Sequence, residues 1–325
     1  MKLFKRLLTP LVALIALAGS ASAPAEQAAP VAAAPVVQAA PVAAAPAVQA
    51  APVAAAPALQ AHPALWKVSD HDTTIYLFGT IHLLPPGIDW LNGPLAYALD
   101  HSDTLMTELP DLPPGDIAAA LLRHGTLPAD QNLRRMMGEQ ERTKLEAALT
   151  ALQLPLTLFD HNKAWVAAAT LPILQLQKAG YNLESGVETA LSKRATQLGH
   201  ARSGLETADF QFGQFDVLSD AQQLEYLGSV LDALPQINAE IAAMVSSWSR
   251  GDAPALAAQL NADSDSPVLA EALIFSRNRN WAGWIENRMK QPGTVFIAVG
   301  AGHLGGKGSV QDVLSKHGVK AVRVQ

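Results

Sequence analysis

The chain has 325 residues, 49% of them apolar, with no cysteine and a formal charge of −6. Without cysteine there is no disulfide, no thiolate metal site and no thiol nucleophile. The acidic balance argues against nucleic acid as a partner, because such binders use a basic surface to release phosphate counterions.

Residues 1–23 predict an export signal. Lys2, Lys5 and Arg6 precede an apolar run from Leu11 to Ala18, and small residues follow from Gly19 to Ala23. That run is shorter than the roughly 20 residues needed to span a bilayer, so no stable membrane insertion is expected after cleavage. Residues 24–61 hold 19 Ala and 7 Pro, with an eleven-residue repeat beginning at Pro35 and Pro46. Regular prolines block a continuous helix, and few large side chains are present to offset ordering entropy. This segment predicts an extended, disordered tether. The expected location is the periplasm or the cell exterior. Three bases and one acid lie in residues 1–61, so residues 62–325 keep 20 bases against 28 acids, a charge of −8. That body is long enough to bury a substantial core.

Within it, Ala64–Val68 and Thr74–Phe78 predict short strands around the turn Ser69–Asp72. Leu105–Leu109 predicts a third. The pattern from 115 to 178 is helical, with Ala- and Leu-rich stretches at 139–152 and 162–178. Ser185-Gly-Val-Glu188 has capping-box spacing and predicts a helix to Leu198. Ala201–Glu206 is a short strand candidate. Ser219-Asp-Ala-Gln222 is a second capping box, opening a helix to Leu231. Helices are expected over 236–249, 253–260 and 267–290. The end predicts a strand at Thr294–Val299, a helix at 308–317 with Ser309 as its N-cap, and a strand at Val319–Val324. This order predicts one α/β domain, with α+β as the alternative. A central mixed sheet would be built from both terminal regions, with a large helical middle.

Two Gly-x-x-His units stand out: Gly79-Thr-Ile-His82 after the second strand and Gly300-Ala-Gly-His303 after the Thr294–Val299 strand. Ligands in α/β sheets sit at the carboxyl ends of strands, and imidazole is a common metal ligand. Each histidine alone also suits a loop position bonded to a backbone carbonyl. Glu108 ends an otherwise apolar strand, where burial is costly without a partner, and Glu206 has the same character. Both also suit an exposed strand edge. Glu188 is explained locally by the capping box. Two histidines with one or two carboxylates suit Mn²⁺, Fe²⁺, Co²⁺ or Zn²⁺. Helical spacing places Ile274, Arg277, Trp281, Trp284, Ile285 and Arg288 on one stripe bordered by Asn278. Arg277 there either snorkels to water or joins Asn278 in orienting an active-site Glu or holding a substrate carbonyl.

The ordered set Leu77-Phe-Gly-Thr-Ile-His-Leu83, Thr107-Glu-Leu109, Glu184-Ser-Gly-Val-Glu188, Gly204-Leu-Glu206, Arg277-Asn278 and Val299-Gly-Ala-Gly-His-Leu304 resembles the TraB/GumN family from about residue 64 to the end. That family groups with the animal Tiki metalloproteases and the erythromycin-esterase/ChaN-like fold. The resemblance implies that fold, and a divalent-metal hydrolase, chiefly a peptidase, acting on peptides or other carbonyl compounds. His82, His303 and Glu108 would hold the ion. Glu108 or Glu206 would serve as general base, with Arg277 and Asn278 completing the catalytic set. Glu188 falls where relatives carry an acidic residue. Two other readings remain open at this point: a ligand-binding protein of haem type, and a surface-interaction scaffold.

Overall fold

The computed structural model describes residues 59–261 and 267–325. The expected signal, and the expected tether through residue 58, lie outside the described residues. Leu59 and Gln60, assigned to the tether by composition, form a short strand β1 (Leu59–Gln60) paired with β4 (Ile88–Asp89). Ala61 beside them is fully buried. Described structure therefore begins three residues before the expected boundary at 62.

A second sheet organises the rest. Its strands are β2 (Leu65–Ser69), β3 (Thr73–Thr80), β5 (Thr104–Thr107), β6 (Ala201–Gly204), β7 (Gly293–Gly300) and β8 (Val322–Arg323), in the order β6-β5-β7-β3-β2-β8. The pairs β6–β5, β5–β7 and β7–β3 are parallel, whereas β2 pairs antiparallel with both β3 and β8. The sheet is thus mixed and joins both ends of the body.

Alternation along β7 explains the layering. Val295, Ile297 and Val299 pack on one face with Ile75, Leu77, Met106, Trp281, Ile285, Val310 and Leu314. Phe296 and Ala298 pack on the other with Phe78, Leu105 and the large helical core. Side chains of a strand alternate faces, so a continuous apolar run marks a strand covered on both sides. The result is an α/β domain in three layers. The helices Ser276–Arg288 and Val310–Lys316 cover one face.

The helical middle is more broken than its periodicity predicts. The stretch 115–178 divides into helices Pro114–Gly125, Leu133–Met136, Glu139–Ala151 and Ala164–Lys178. Pro128 and Pro155 lie in the gaps, where a missing N–H and a ring clash stop a helix. Ser219 and Gln222 form the expected reciprocal cap of the helix Asp220–Ala233. Ser309 caps Val310–Lys316 through Asp312 N–H. The box at Ser185–Glu188 does not form: the helix Val187–Leu198 starts from Gly186 without a side-chain cap. The strands expected at 201–206 and 319–324 are shorter, ending at Gly204 and spanning Val322–Arg323.

Candidate functional site

The parallel strands β3, β7, β5 and β6 end on one edge, and the sequence places its chemistry there. Thr80 of β3 is the register partner of Gly300 of β7, so the two Gly-x-x-His segments leave the sheet side by side. A Cβ on Gly79 would lie 3.0 Å from both Cα and Cβ of Ala301. Glycine there lets one segment lie against the other. The Gly79 carbonyl accepts a 2.8 Å hydrogen bond from Trp248 Nε1. Beyond β5 and β6 the pairing continues, with Glu206 N–H donating to the Glu108 carbonyl at 2.9 Å. The two carboxylates are therefore neighbours by backbone register.

Arg277 lies between them. It is 1% exposed, so it does not snorkel out along its helix. Nε donates to both Glu206 oxygens at 2.8 and 3.0 Å, and Nη2 reaches Glu206 Oε2 at 2.8 Å and Glu108 Oε2 at 2.6 Å. Nη1 donates to the Leu273 carbonyl at 3.1 Å, from the π-helical turn Glu271–Phe275 that precedes Arg277. The guanidinium also stacks on Trp281, 4.8 Å from the ring centroid. Glu108 Oε1 accepts from Gly300 N–H at 2.7 Å, and Oε2 accepts also from Gln211 Nε2 at 3.0 Å. A Cβ at Gly300 would come 3.1 Å from Glu108 Oε1, so glycine admits the carboxylate to the strand end.

His303 is fully buried behind this network. Its Nδ1 lies 2.6 Å from Asn278 Oδ1, while Asn278 Nδ2 donates to the Gly308 carbonyl at 2.7 Å. The amide oxygen is therefore the acceptor, and His303 Nδ1 carries the proton. Nε2 then faces Arg277 Nη1 at 3.4 Å. Burial, with the Arg277 charge, pushes the imidazole down to about 3, so His303 is neutral.

His82 has a different setting. Its Nδ1 is 2.5 Å from Glu188 Oε1. No well-aligned hydrogen bond reaches that oxygen, so charge attraction dominates the contact. The carboxylate assigned to a helix cap instead faces the first histidine. Burial of the imidazole lowers its pKa, but the Glu188 charge, aided by Glu108, outweighs burial and holds it above its ordinary value. His82 lines an apolar cavity of about 40 Å³ with Thr80, Leu83, Leu176, Ile241, Met244, Leu256 and Leu260.

The carboxylates diverge in the same way. Burial raises the Glu108 carboxyl, but Arg277 and the two histidines overcome it and hold it at about 2. Burial lifts Glu206 above the usual range, against Arg277, and the Glu108 charge adds to the rise. Glu108 is thus a held anion and a weak base.

His82, His303 and Glu108 do not gather as a three-ligand metal site. Among the described residues, the one group of three or more metal-ligating side chains with ligand atoms within 4.8 Å of one another is the exposed turn Asp70–His71–Asp72. Asp70 Oδ1 there accepts from the backbone N–H groups of Asp72 and Thr73, as a turn requires. His303 Nε2 faces the Arg277 cation, and three of the roughly four acceptor sites of Glu108 are taken by Gly300, Arg277 and Gln211. The arrangement does not fit the expected ion. Gln211 gave no signal in the sequence, since one glutamine in a short helix is unremarkable; only the fold brings it to Glu108.

Comparison with known proteins agrees with the ordered motifs. The chain is 26% identical over 252 residues to "Uncharacterized protein YbaP" of Escherichia coli (strain K12), covering 78% of this chain and 92% of that protein. It is 26% identical over 239 residues to the protein of the same name from Shigella flexneri, covering 74% and 87%. No solved structure gives a significant match. The description of the TraB/PrgY/gumN family matches residues 64–323, a span that begins just before β2 and contains every residue of the buried network. This chain belongs to the TraB/PrgY/gumN family.

Proposed function

We propose that the protein is a hydrolase of carbonyl compounds, peptides first among them, in which His82 is the general base and the Glu188 charge raises its basicity. The observation that carries this is the 2.5 Å approach of Glu188 to His82 Nδ1 beside the cavity. Among the described residues nothing hydrogen-bonds His82 Nε2. A base needs such a free nitrogen and an anion behind it. His82 Nε2 would take a proton as a water oxygen bonds to the substrate carbonyl carbon. The bond from that carbon to the leaving nitrogen or oxygen would then break, the same proton passing to the leaving atom. The Arg277 network would hold the strand ends rigid and supply a fixed field beside the reacting atoms. The exported location read from residues 1–23 belongs to the same proposal. A cavity of about 40 Å³ has room for a few waters, which favours a small reacting group over a haem.

The test assays purified protein against a panel of peptides and carboxylic esters, with metal content measured in the same samples. Wild type is expected to hydrolyse at least one member without a stoichiometric ion. His82→Gln should lose about 10²–10⁴-fold of that rate. Equal rates in both, no turnover of any member, or a bound divalent ion that His82→Gln releases would overturn the reading.

A further inference from the structure

The same cavity holds a second polar group without a partner. Thr80 is 3% exposed, and its hydroxyl is fully buried with no hydrogen bond. It lies two residues before His82 and is a wall residue of the same cavity. The rest of that wall is apolar or backbone. A buried hydroxyl left without a partner is destabilising, and Val would fill the same space without one. A cavity this size admits water, and a water needs two or more polar partners. Thr80 and His82 are the two residues of this wall whose side chains carry polar groups able to supply them.

We propose that Thr80 is the water-positioning residue of this site: its hydroxyl holds the attacking water against His82. This rests on the hydrolase reading above and assigns one further role within it. The threonine hydroxyl accepts or donates one hydrogen bond to the water, which keeps one O–H directed at His82 Nε2. The other lone pair is then free for the carbonyl carbon. The hydroxyl itself transfers no proton.

The experiment compares wild type, Thr80→Val and Thr80→Ser by crystallography and by kinetics on whichever ester or peptide the panel identifies. An ordered water about 2.7–3.0 Å from the residue-80 hydroxyl is expected in wild type and Thr80→Ser and absent in Thr80→Val. Thr80→Val should lower kcat at least about tenfold with KM little changed, and Thr80→Ser should restore most of it. A dry cavity in wild type, a water that persists in Thr80→Val, or a rise in the Tm of Thr80→Val would each overturn the proposal, the last because removing a dry orphan stabilises. Full activity in Thr80→Val alongside a dead His82→Gln would sink the role of Thr80 and leave the hydrolase standing. Should no panel member be turned over, the hydrolase reading and the role of Thr80 within it fall together.

Discussion

Two arginines in this molecule make nearly the same pattern of bonds in opposite surroundings. Arg134, in the helical middle, grips Asp160 through Nε at 2.6 Å and Nη2 at 2.8 Å, and reaches Glu146 through Nη1 at 3.2 Å. Arg277, at the sheet edge, grips Glu206 in the same two-pronged way and reaches Glu108. The Arg134 side chain is 24% exposed and that of Glu146 34%; the Arg277 and Glu108 side chains are 1% and 3%. Water reaches the Arg134 and Glu146 side of the first network, though Asp160 is buried, and is shut out of the second. The first ties a short helix to the loop before Ala164 and has only the exposed His161 beside it. The second has neutral His303 behind it and His82 within its field. Bond pattern therefore does not distinguish a staple from a site; desolvation and the neighbouring titratable groups do.

Replacing each arginine by methionine breaks the comparison most directly. Arg277→Met leaves two carboxylates buried without a cation, and a loss of about 3–5 kcal/mol is expected, enough to unfold much of the population. Arg134→Met should cost less, about 1–2 kcal/mol, since Glu146 can turn to water and only Asp160 is left buried. Urea denaturation of both variants checks this; equal losses would mean the two networks are alike after all.

Acid should single out the buried network next. Glu108 is held at about 2 against an ordinary 4.5. A carboxyl with a lowered folded pKa adds stability above its unfolded value, and that share is lost as pH falls from 4.5 toward 2. The urea midpoint should fall across this window in wild type and less steeply in Glu108→Gln.

His82 gives the opposite sign. Its raised pKa means the Glu188 pair adds stability fully below the ordinary 6.5, lost as pH rises through the raised value. As a base His82 must be neutral, so the hydrolysis rate should climb over that same rise in pH. Glu188→Gln removes the charge that holds the proton, and the limb of the pH–rate profile should move to lower pH, with a reduced plateau. An unmoved limb would separate Glu188 from the base.

The smallest effect belongs to a site far from this chemistry. Ser219→Ala removes the hydroxyl that caps Asp220–Ala233 and should cost about 1 kcal/mol of stability without changing any pH profile. It calibrates what an ordinary local bond is worth in this fold.

Much of the frame was legible in the chain itself. The segments Thr74–Phe78 and Thr294–Val299 read as strands, and β3 and β7 are those strands. In the fold the glycines that follow them are close approaches, Gly79 against Ala301 and Gly300 against Glu108. Glu188 was misread because a capping box needs the residue before the helix to turn its hydroxyl inward. The chain enters that helix at Gly186 instead, leaving the carboxylate free for a histidine over a hundred residues away. No local rule holds that contact.

What the sequence determined alone was the alternation that builds a two-sided sheet, the caps at Ser219 and Ser309, and the ordered motifs that give the family. Each depends on neighbours within a few positions, where backbone geometry fixes who meets whom. Only the tertiary structure decided which charge answers which. It gave Glu108 and Glu206 to one guanidinium, Asn278 and Gln211 to partners 25 and 103 positions away, and Glu188 to His82. It also placed Thr80 and His82, two positions apart in the chain, in one wall with little other polarity. Those pairings are made by strand order and burial, since only when water is excluded does a buried charge or hydroxyl need one particular neighbour.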